Sequence, residues 1–181
     1  MKSKEGLLNR VPLKIFSYLC RVPYTPHYER EIARSVKVSI GATNQTLKLL
    51  LNMGLVTREK KGQLYLYRVI ADSPAVREFK KFENIISLTD LILQIRDVCR
   101  KIVLYGSCAT GEDTNVSDID LFIVTENKTK VLNEIGKQTR QLDREIKPVI
   151  VRSDEYLAMR NRKEALLEEL NGGIILWEKR T

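Results

Sequence analysis

The 181-residue sequence is poor in the residue types on which several kinds of chemistry and architecture depend. It has one histidine, His27, which excludes any mechanism that needs two. Its three cysteines, Cys20, Cys99 and Cys108, are odd in number and widely scattered, so neither a disulfide framework nor a zinc motif is expected. No apolar run approaches the roughly 20 residues that cross a bilayer. The longest, Leu47 to Leu55, is broken by Lys48, Asn52 and Gly54. The opening MKSKEGLLNR lacks the apolar core of a signal peptide. Internal repeats and low-complexity tracts are missing too. These absences predict a reduced, cytoplasmic protein without membrane attachment.

What is present is charge, unevenly spread. With 43% hydrophobic and 30% charged residues the chain has the composition of a folded globular protein, and its length suits one large domain or two small ones. There are 31 Lys plus Arg against 23 Asp plus Glu, a net charge of +8. Residues 1–72 hold 13 basic and five acidic side chains, whereas residues 73–181 hold 18 of each. The whole excess therefore lies in the first two-fifths. A basic module joined to a neutral one points to a polyanion as partner of the first. The seam is expected at Asp72-Ser73-Pro74, where the strand-like LYLYRVI (64–70) gives way to a helix that Ser73 can cap and Pro74 can start. The expected domains are 1–72 and 73–181.

In the first module, Leu13, Phe16, Leu19 and Cys20 make a helical stripe within Val11 to Cys20. RVPYTP breaks the chain, and a second helix is expected over His27 to Val36, with His27 at its start and Ile32, Ala33 and Val36 on one face. Ser39 can cap a third helix whose core face carries Ile40, Thr43, Leu47, Leu50 and Leu51, stopped by Gly54. Leu55-Val56 starts a strand, Lys60-Lys61-Gly62 makes a basic turn, and QLYLYRVI returns. Three helices and a basic hairpin, with the pattern S-x-x-x-x-x-x-x-L-K-x-L-x-x-x-G-L-V, resemble the winged helix-turn-helix family of transcriptional regulators over residues 10–70. The resemblance implies double-stranded DNA as partner, read by the third helix in the major groove, and a homodimer. Base edges need short polar donors and acceptors at the N-terminal half of such a helix. Ser39 at the cap and Gly41, Ala42, Asn44, Gln45 and Lys48 on the non-core face occupy that place. Asn44 and Gln45 can pair with adenine and Lys48 with guanine or phosphate, while Arg58, Lys60 and Lys61 suit the DNA backbone. The plainer alternatives are a solvated helix face with a charged hairpin, or a fold that serves only protein contacts.

The second module carries KIVLYGSCATGEDTNVSDIDLFIVT (101–125), two apolar strands framing a polar loop. Gly106, Ser107, Ala109 and Gly111 stand in its first half, and Ser117, Asp118, Ile119, Asp120 and Leu121 in its second. On these residues the module resembles the nucleotidyltransferase superfamily of DNA polymerase beta, and more narrowly the minimal nucleotidyltransferase domains with the signature G-S-x-A-x-G…S-D-I-D-L. The resemblance implies a small mixed-sheet domain, an α+β fold for the chain, magnesium, and a nucleoside triphosphate (ATP first among them) as substrate or ligand. In a strand, residues two apart share a face, so Asp118 and Asp120 project together while Ile119 and Leu121 enter the core. Two such carboxylates repel unless a cation lies between them, and oxygen ligands suit magnesium. Gly106 lets a backbone approach the triphosphate, and the Ser107 hydroxyl and amide can hold its oxygens. Asp118 and Asp120 are thus the expected catalytic and metal residues, and Gly106 and Ser107 the expected nucleotide contacts.

The family also implies a third carboxylate on a neighbouring strand. Here that strand is REIKPVIV (144–151), which puts Lys147 or Pro148 near the place of the acid. Its only acid, Glu145, shares a face with Lys147 and Val149 by period two and sits one step early. With Glu145 serving as a catalytic group, the protein is an enzyme moving a nucleotidyl group to a hydroxyl. Without it, the protein is a regulator whose degenerate domain senses a nucleotide or binds a partner protein. The remaining segments read as scaffold: one or two helices over 75–99, a helix over 128–140, another over 154–170, a strand at 173–177 and a packed Trp177. Arg140, Arg144, Arg160 and Arg162 read as a solvated face, with contact to a polynucleotide or triphosphate as the alternative.

Overall fold

The computed structural model describes residues 10–142, 144–162 and 165–179, a mixed α+β protein with two sheets. The chain divides into two compact units, between Lys80 and Lys81. No described helix is long and apolar enough to cross a membrane.

The first unit opens with α1 (Val11–Arg21), which has proline in its first turn and buries Ile15, Phe16, Leu19 and Cys20. Next comes a strand where a helix start is expected. In β1 (His27–Tyr28), His27 lies opposite Tyr67 and Tyr28 opposite Leu66, so backbone groups that would open a helix are used in a sheet. The helix α2 (Glu29–Val36) then starts two residues later than its apolar pattern suggests, with Glu31 accepting from the Tyr28 amide at 2.8 Å. Ser39 caps α3 (Ile40–Asn52) through its Oγ, 3.2 Å from the Ala42 amide. Thr43, Thr46, Leu47 and Leu50 are buried, but Ile40 is 50% exposed rather than in the core. Helix side chains lean toward the N-terminus, so Ile40, the first residue of α3, reaches past the packed stripe. Gly54 at φ +67° carries the chain out of the helix into β2 (Val56–Lys61), which pairs antiparallel with β3 (Leu64–Val69). The tip of this hairpin is Gly62-Gln63, with Gly62 at φ +63°; Lys60 and Lys61 are strand residues beside it. The sheet order is β1-β3-β2. Phe79 packs on Phe16 with ring centroids 4.6 Å apart, and Val76 completes this core.

Val76 and Phe79 belong to α4 (Pro74–Ile95), a single helix followed by a 3-10 turn at Arg96–Val98. Its later turns put Leu88, Leu91 and Ile95 into the core of the second unit. That unit has β4 (Cys99–Tyr105), the four-residue α5 (Ser107–Thr110), β5 (Ile119–Thr125), α6 (Lys128–Leu142), β6 (Ile146–Val151), α7 (Ser153–Arg162), α8 (Ala165–Asn171) and β7 (Ile174–Glu178). The region expected as one helix over 154–170 thus contributes two, one ending at Arg162 and the next starting at Ala165. The sheet runs β6-β5-β4-β7, with β5 and β6 parallel and the other pairs antiparallel. One face, with Ile102, Leu104, Ile119, Leu121 and Ile123, packs on residues of α4 and α6; Trp177 adds to this core. The other face, with Val103, Phe122 and Val124, is covered by Tyr156, Met159, Leu166 and Leu170 of α7 and α8.

Candidate nucleotide site

Antiparallel pairing brings the two halves of the Gly-Ser and Asp-x-Asp motif together. Tyr105, the last residue of β4, lies opposite Asp120, so Gly106 follows one strand where Asp118 precedes the other. Gly106 adopts φ +66° and ψ −155°, a region essentially restricted to glycine. A Cβ there would stand 2.7 Å from Oδ2 of Asp120. Ser107 then opens α5, and Gly111 closes it at φ +75°. Ile119 and Leu121 are buried, which turns Asp118 and Asp120 to the opposite face. Burial, and after it the neighbouring Asp118 carboxylate, hold the Asp120 carboxyl above its ordinary value.

Lys147 faces these acids. It lies opposite Asp120 in the parallel β5–β6 ladder, and its Nζ is 2.5 Å from Oδ2 of Asp118. The hydrogen bond and charge of Asp118 raise the Lys147 pKa in turn. Glu145 is exposed, and its backbone carbonyl accepts from the Ile119 amide at 2.9 Å. Among the described residues no three His, Cys, Asp or Glu side chains gather as metal ligands. Asp118 and Asp120 are therefore brought together and Glu145 does not complete them; an ammonium stands beside the pair instead. Two carboxylates and a lysine do not fit a two-ion magnesium centre. Glu169 of α8 is a further acid close enough for its charge to act on Asp120 and Tyr105, though it too forms no ligand group with them.

Behind the loop lies a buried polar network that the motif did not reveal. Arg144, expected in solvent, has its side chain only 9% exposed. Its Nε and Nη2 donate to the Ser117 carbonyl at 3.0 and 2.9 Å, and its Nη1 donates to Oδ1 of Asn84 at 3.2 Å. Nη2 also reaches Sγ of Cys108 at 3.2 Å and Oδ2 of Asp113 at 3.3 Å. Asn84 donates to the Cys108 carbonyl and to Oδ1 of Asp113 at 3.1 and 3.2 Å. The Cys108 thiol donates to the Asp118 carbonyl at 3.3 Å, and burial pushes its pKa up to about 11, so it is an inert thiol. One guanidinium thus clamps Cys108 in α5 to the backbone that delivers Asp118. The sequence held one signal for this: Asn84 stands at the helical spacing of Leu88, Leu91 and Ile95, a polar residue on a core stripe.

In the first unit, Gly41, Gln45 and Lys48 lie on the exposed side of α3 and Ala42 is half-buried. Ser39 is engaged as the helix cap. Asn44 is half-buried, and its Nδ2 donates to Oε2 of Glu29 at 2.9 Å, which leaves one amide hydrogen and Oδ1 for another partner. Arg58 lies over the Tyr65 ring, 4.3 Å from its centroid, while Lys60 and Lys61 are exposed.

Comparison with curated proteins gives no match. Among solved structures, the chain is similar to a candidate nucleotidyltransferase from Sulfolobus solfataricus, at 12% sequence identity over 60% of this chain and 92% of that one, with a TM-score of 0.37. Residues 83–181 match the family described as Polymerase beta, Nucleotidyltransferase. This span, more than half of the protein, includes every residue of the Gly-Ser and Asp-x-Asp motif, and the chain belongs to the polymerase beta nucleotidyltransferase family.

Proposed function

We propose that this protein is a DNA-binding regulator in which a winged helix-turn-helix, the first unit, is joined to a nucleotidyltransferase domain that holds a nucleotide without transferring it. The observation that carries the second half is Lys147. An ammonium on Asp118, opposite Asp120, occupies the strand where the family would supply an acid. A base or metal ligand for an attacking hydroxyl typically contributes about 10²–10⁴-fold to such a reaction. A cation at that place neither accepts the hydroxyl proton nor holds a divalent ion. Gly106 and Ser107 would still receive phosphate oxygens, since the glycine-only backbone and the exposed loop do not depend on the third acid.

The DNA half rests on charge and placement. The net charge of +8 belongs entirely to residues 1–72, and the exposed residues Gly41, Gln45 and Lys48 share α3 with a helix cap at Ser39. Lys60 and Lys61 flank the hairpin tip, where phosphates of an adjacent backbone would lie. The reading carries a homodimer with it, since two-fold symmetry matches a palindromic site.

The test is equilibrium binding of the full chain to duplexes selected from a random pool, with and without ATP. A shift of DNA affinity by ATP, lost in Ser107→Ala, with no labelled product, supports the reading. Failure to select any duplex overturns the DNA half, and ATP turnover overturns the other. A nucleotidyl-transferring enzyme is the second reading. It is favoured by the close fit of Gly106 to Asp120 and requires Lys147 to leave Asp118.

A further inference from the structure

We propose that the second unit carries a separate binding site for a small phosphate compound, at the end of the sheet remote from Gly106 and Asp120. Along the β4–β5 ladder, Tyr105 lies opposite Asp120, whereas Lys101 lies opposite Val124. Lys101 and Tyr105 are four residue steps apart along the strand, about 13 Å at the usual rise. At the Lys101 end is a hollow of about 280 Å³, bordered among the described residues by Arg100, Lys101, Arg160 and Lys179 and a single acid, Glu178. That acid is already engaged, with Oε1 3.0 Å from Nζ of Lys101. Arg100, Arg160 and Lys179 make no ion pair or side-chain hydrogen bond among the described residues.

Three exposed cations, unpaired among the described residues, stand around one hollow although like charges repel. The surrounding sequence does not force the arrangement: residues 73–181 have as many acids as bases, so the excess here is a local separation of charge. Convergent cations on a concave surface are the arrangement that recognises phosphate, with arginine supplying paired donors. The Ser153 and Tyr156 side chains border the same hollow and add hydroxyl groups.

A second hollow of about 380 Å³ shares Lys101, Tyr156 and Arg160 with the first. Its own wall is part apolar, formed by Val103, Leu167, Leu170 and Ile175, and part polar, with Glu168 and Asn171. A ligand with a phosphate group and a compact organic body would place its charge among the arginines and its body against this wall. Inorganic pyrophosphate offers the charge alone.

The experiment is an amide chemical-shift titration of the full chain with pyrophosphate and, separately, with AMP, alongside calorimetry. The expected result is a saturable site with shifts clustered at Arg100, Tyr156 and Lys179, separate from any shifts at Gly106 and Ser107. Arg160→Gln and Lys179→Gln, both at exposed positions, should each weaken binding by about tenfold, as for loss of one charge-assisted hydrogen bond. AMP tighter than pyrophosphate identifies an organic phosphate; the reverse identifies the free anion. Shifts confined to Gly106 and Ser107, or no saturable shift at Arg100, Tyr156 and Lys179 at millimolar ligand, overturn the proposal. It stands or falls apart from the DNA and nucleotide assays, because none of its residues takes part in them.

Discussion

Replacing Arg144 by Met removes the group that joins the two halves of the Gly-Ser and Asp-x-Asp loop from behind. The side chains of Arg144 and Asp113 are 9% and 3% exposed, so the variant leaves a buried carboxylate without its guanidinium. Breaking such a pair from one side costs about 3–5 kcal/mol, a large share of the roughly 5–15 kcal/mol that holds a domain folded. The two bonds to the Ser117 carbonyl and the one to Asn84 are lost with it. For a unit of about 100 residues, each kcal/mol lowers the melting temperature by about 4 °C, so a fall of about 12–20 °C is expected. Calorimetry reads the fall, and hydrogen exchange should show amides of residues 106–120 losing protection first. Adding Asp113→Asn should recover part of the loss, because the buried carboxylate that faced the guanidinium is then neutral. A fall of less than about 4 °C, with unchanged exchange in the loop, would refute the idea that this network holds the site together.

Gly106→Ala should cost about 1–3 kcal/mol in denaturant unfolding, since alanine is strained at φ +66° and its Cβ would press on Asp120. Asp120→Asn should raise the melting temperature at pH 7. The raised carboxyl pKa means that ionising Asp120 works against folding, and the gain should vanish as pH falls below the ordinary value of 3.8, where the carboxyl is protonated in both the folded and unfolded chain. If the gain persists there, ionisation is not its cause. Changing both Lys60 and Lys61 to Ala should weaken duplex binding for all sequences alike and flatten its logarithmic salt dependence by about two. An unchanged slope by fluorescence anisotropy would remove these lysines from the DNA contact.

Much of the second unit was legible because its signals are local. The two hydrophobic strands framing the loop could be read, though not their antiparallel pairing, and alternation alone assigns Ile119 and Leu121 inward and the aspartates outward. The Arg144 network was not legible, since Asn84, Asp113 and Arg144 are distant in sequence and meet only when α4 and the start of β6 close around the loop. The strand that carries Lys147 was readable, but period two puts Glu145 and Lys147 on one face and cannot say which of them reaches the aspartates. Ladder register decides it: Lys147 is level with Asp120. In the first unit the helices followed their apolar stripes, while His27-Tyr28 became a strand because β3 offered partners that sequence periodicity does not record. The Asn44–Glu29 bond likewise joins two helices whose facing residues cannot be paired by spacing.

The central claim is that Lys147 stands where nucleotidyl transfer needs an acid. Its most direct test is to incubate the full chain with α-labelled nucleoside triphosphates, magnesium and cell extract, comparing wild type with Lys147→Asp. The account predicts no labelled acceptor with the wild type, and label appearing, or rising well above background, when aspartate restores a carboxylate beside Asp118 and Asp120. Robust labelling by the wild type, abolished by Asp118→Asn with Asp120→Asn, would contradict it.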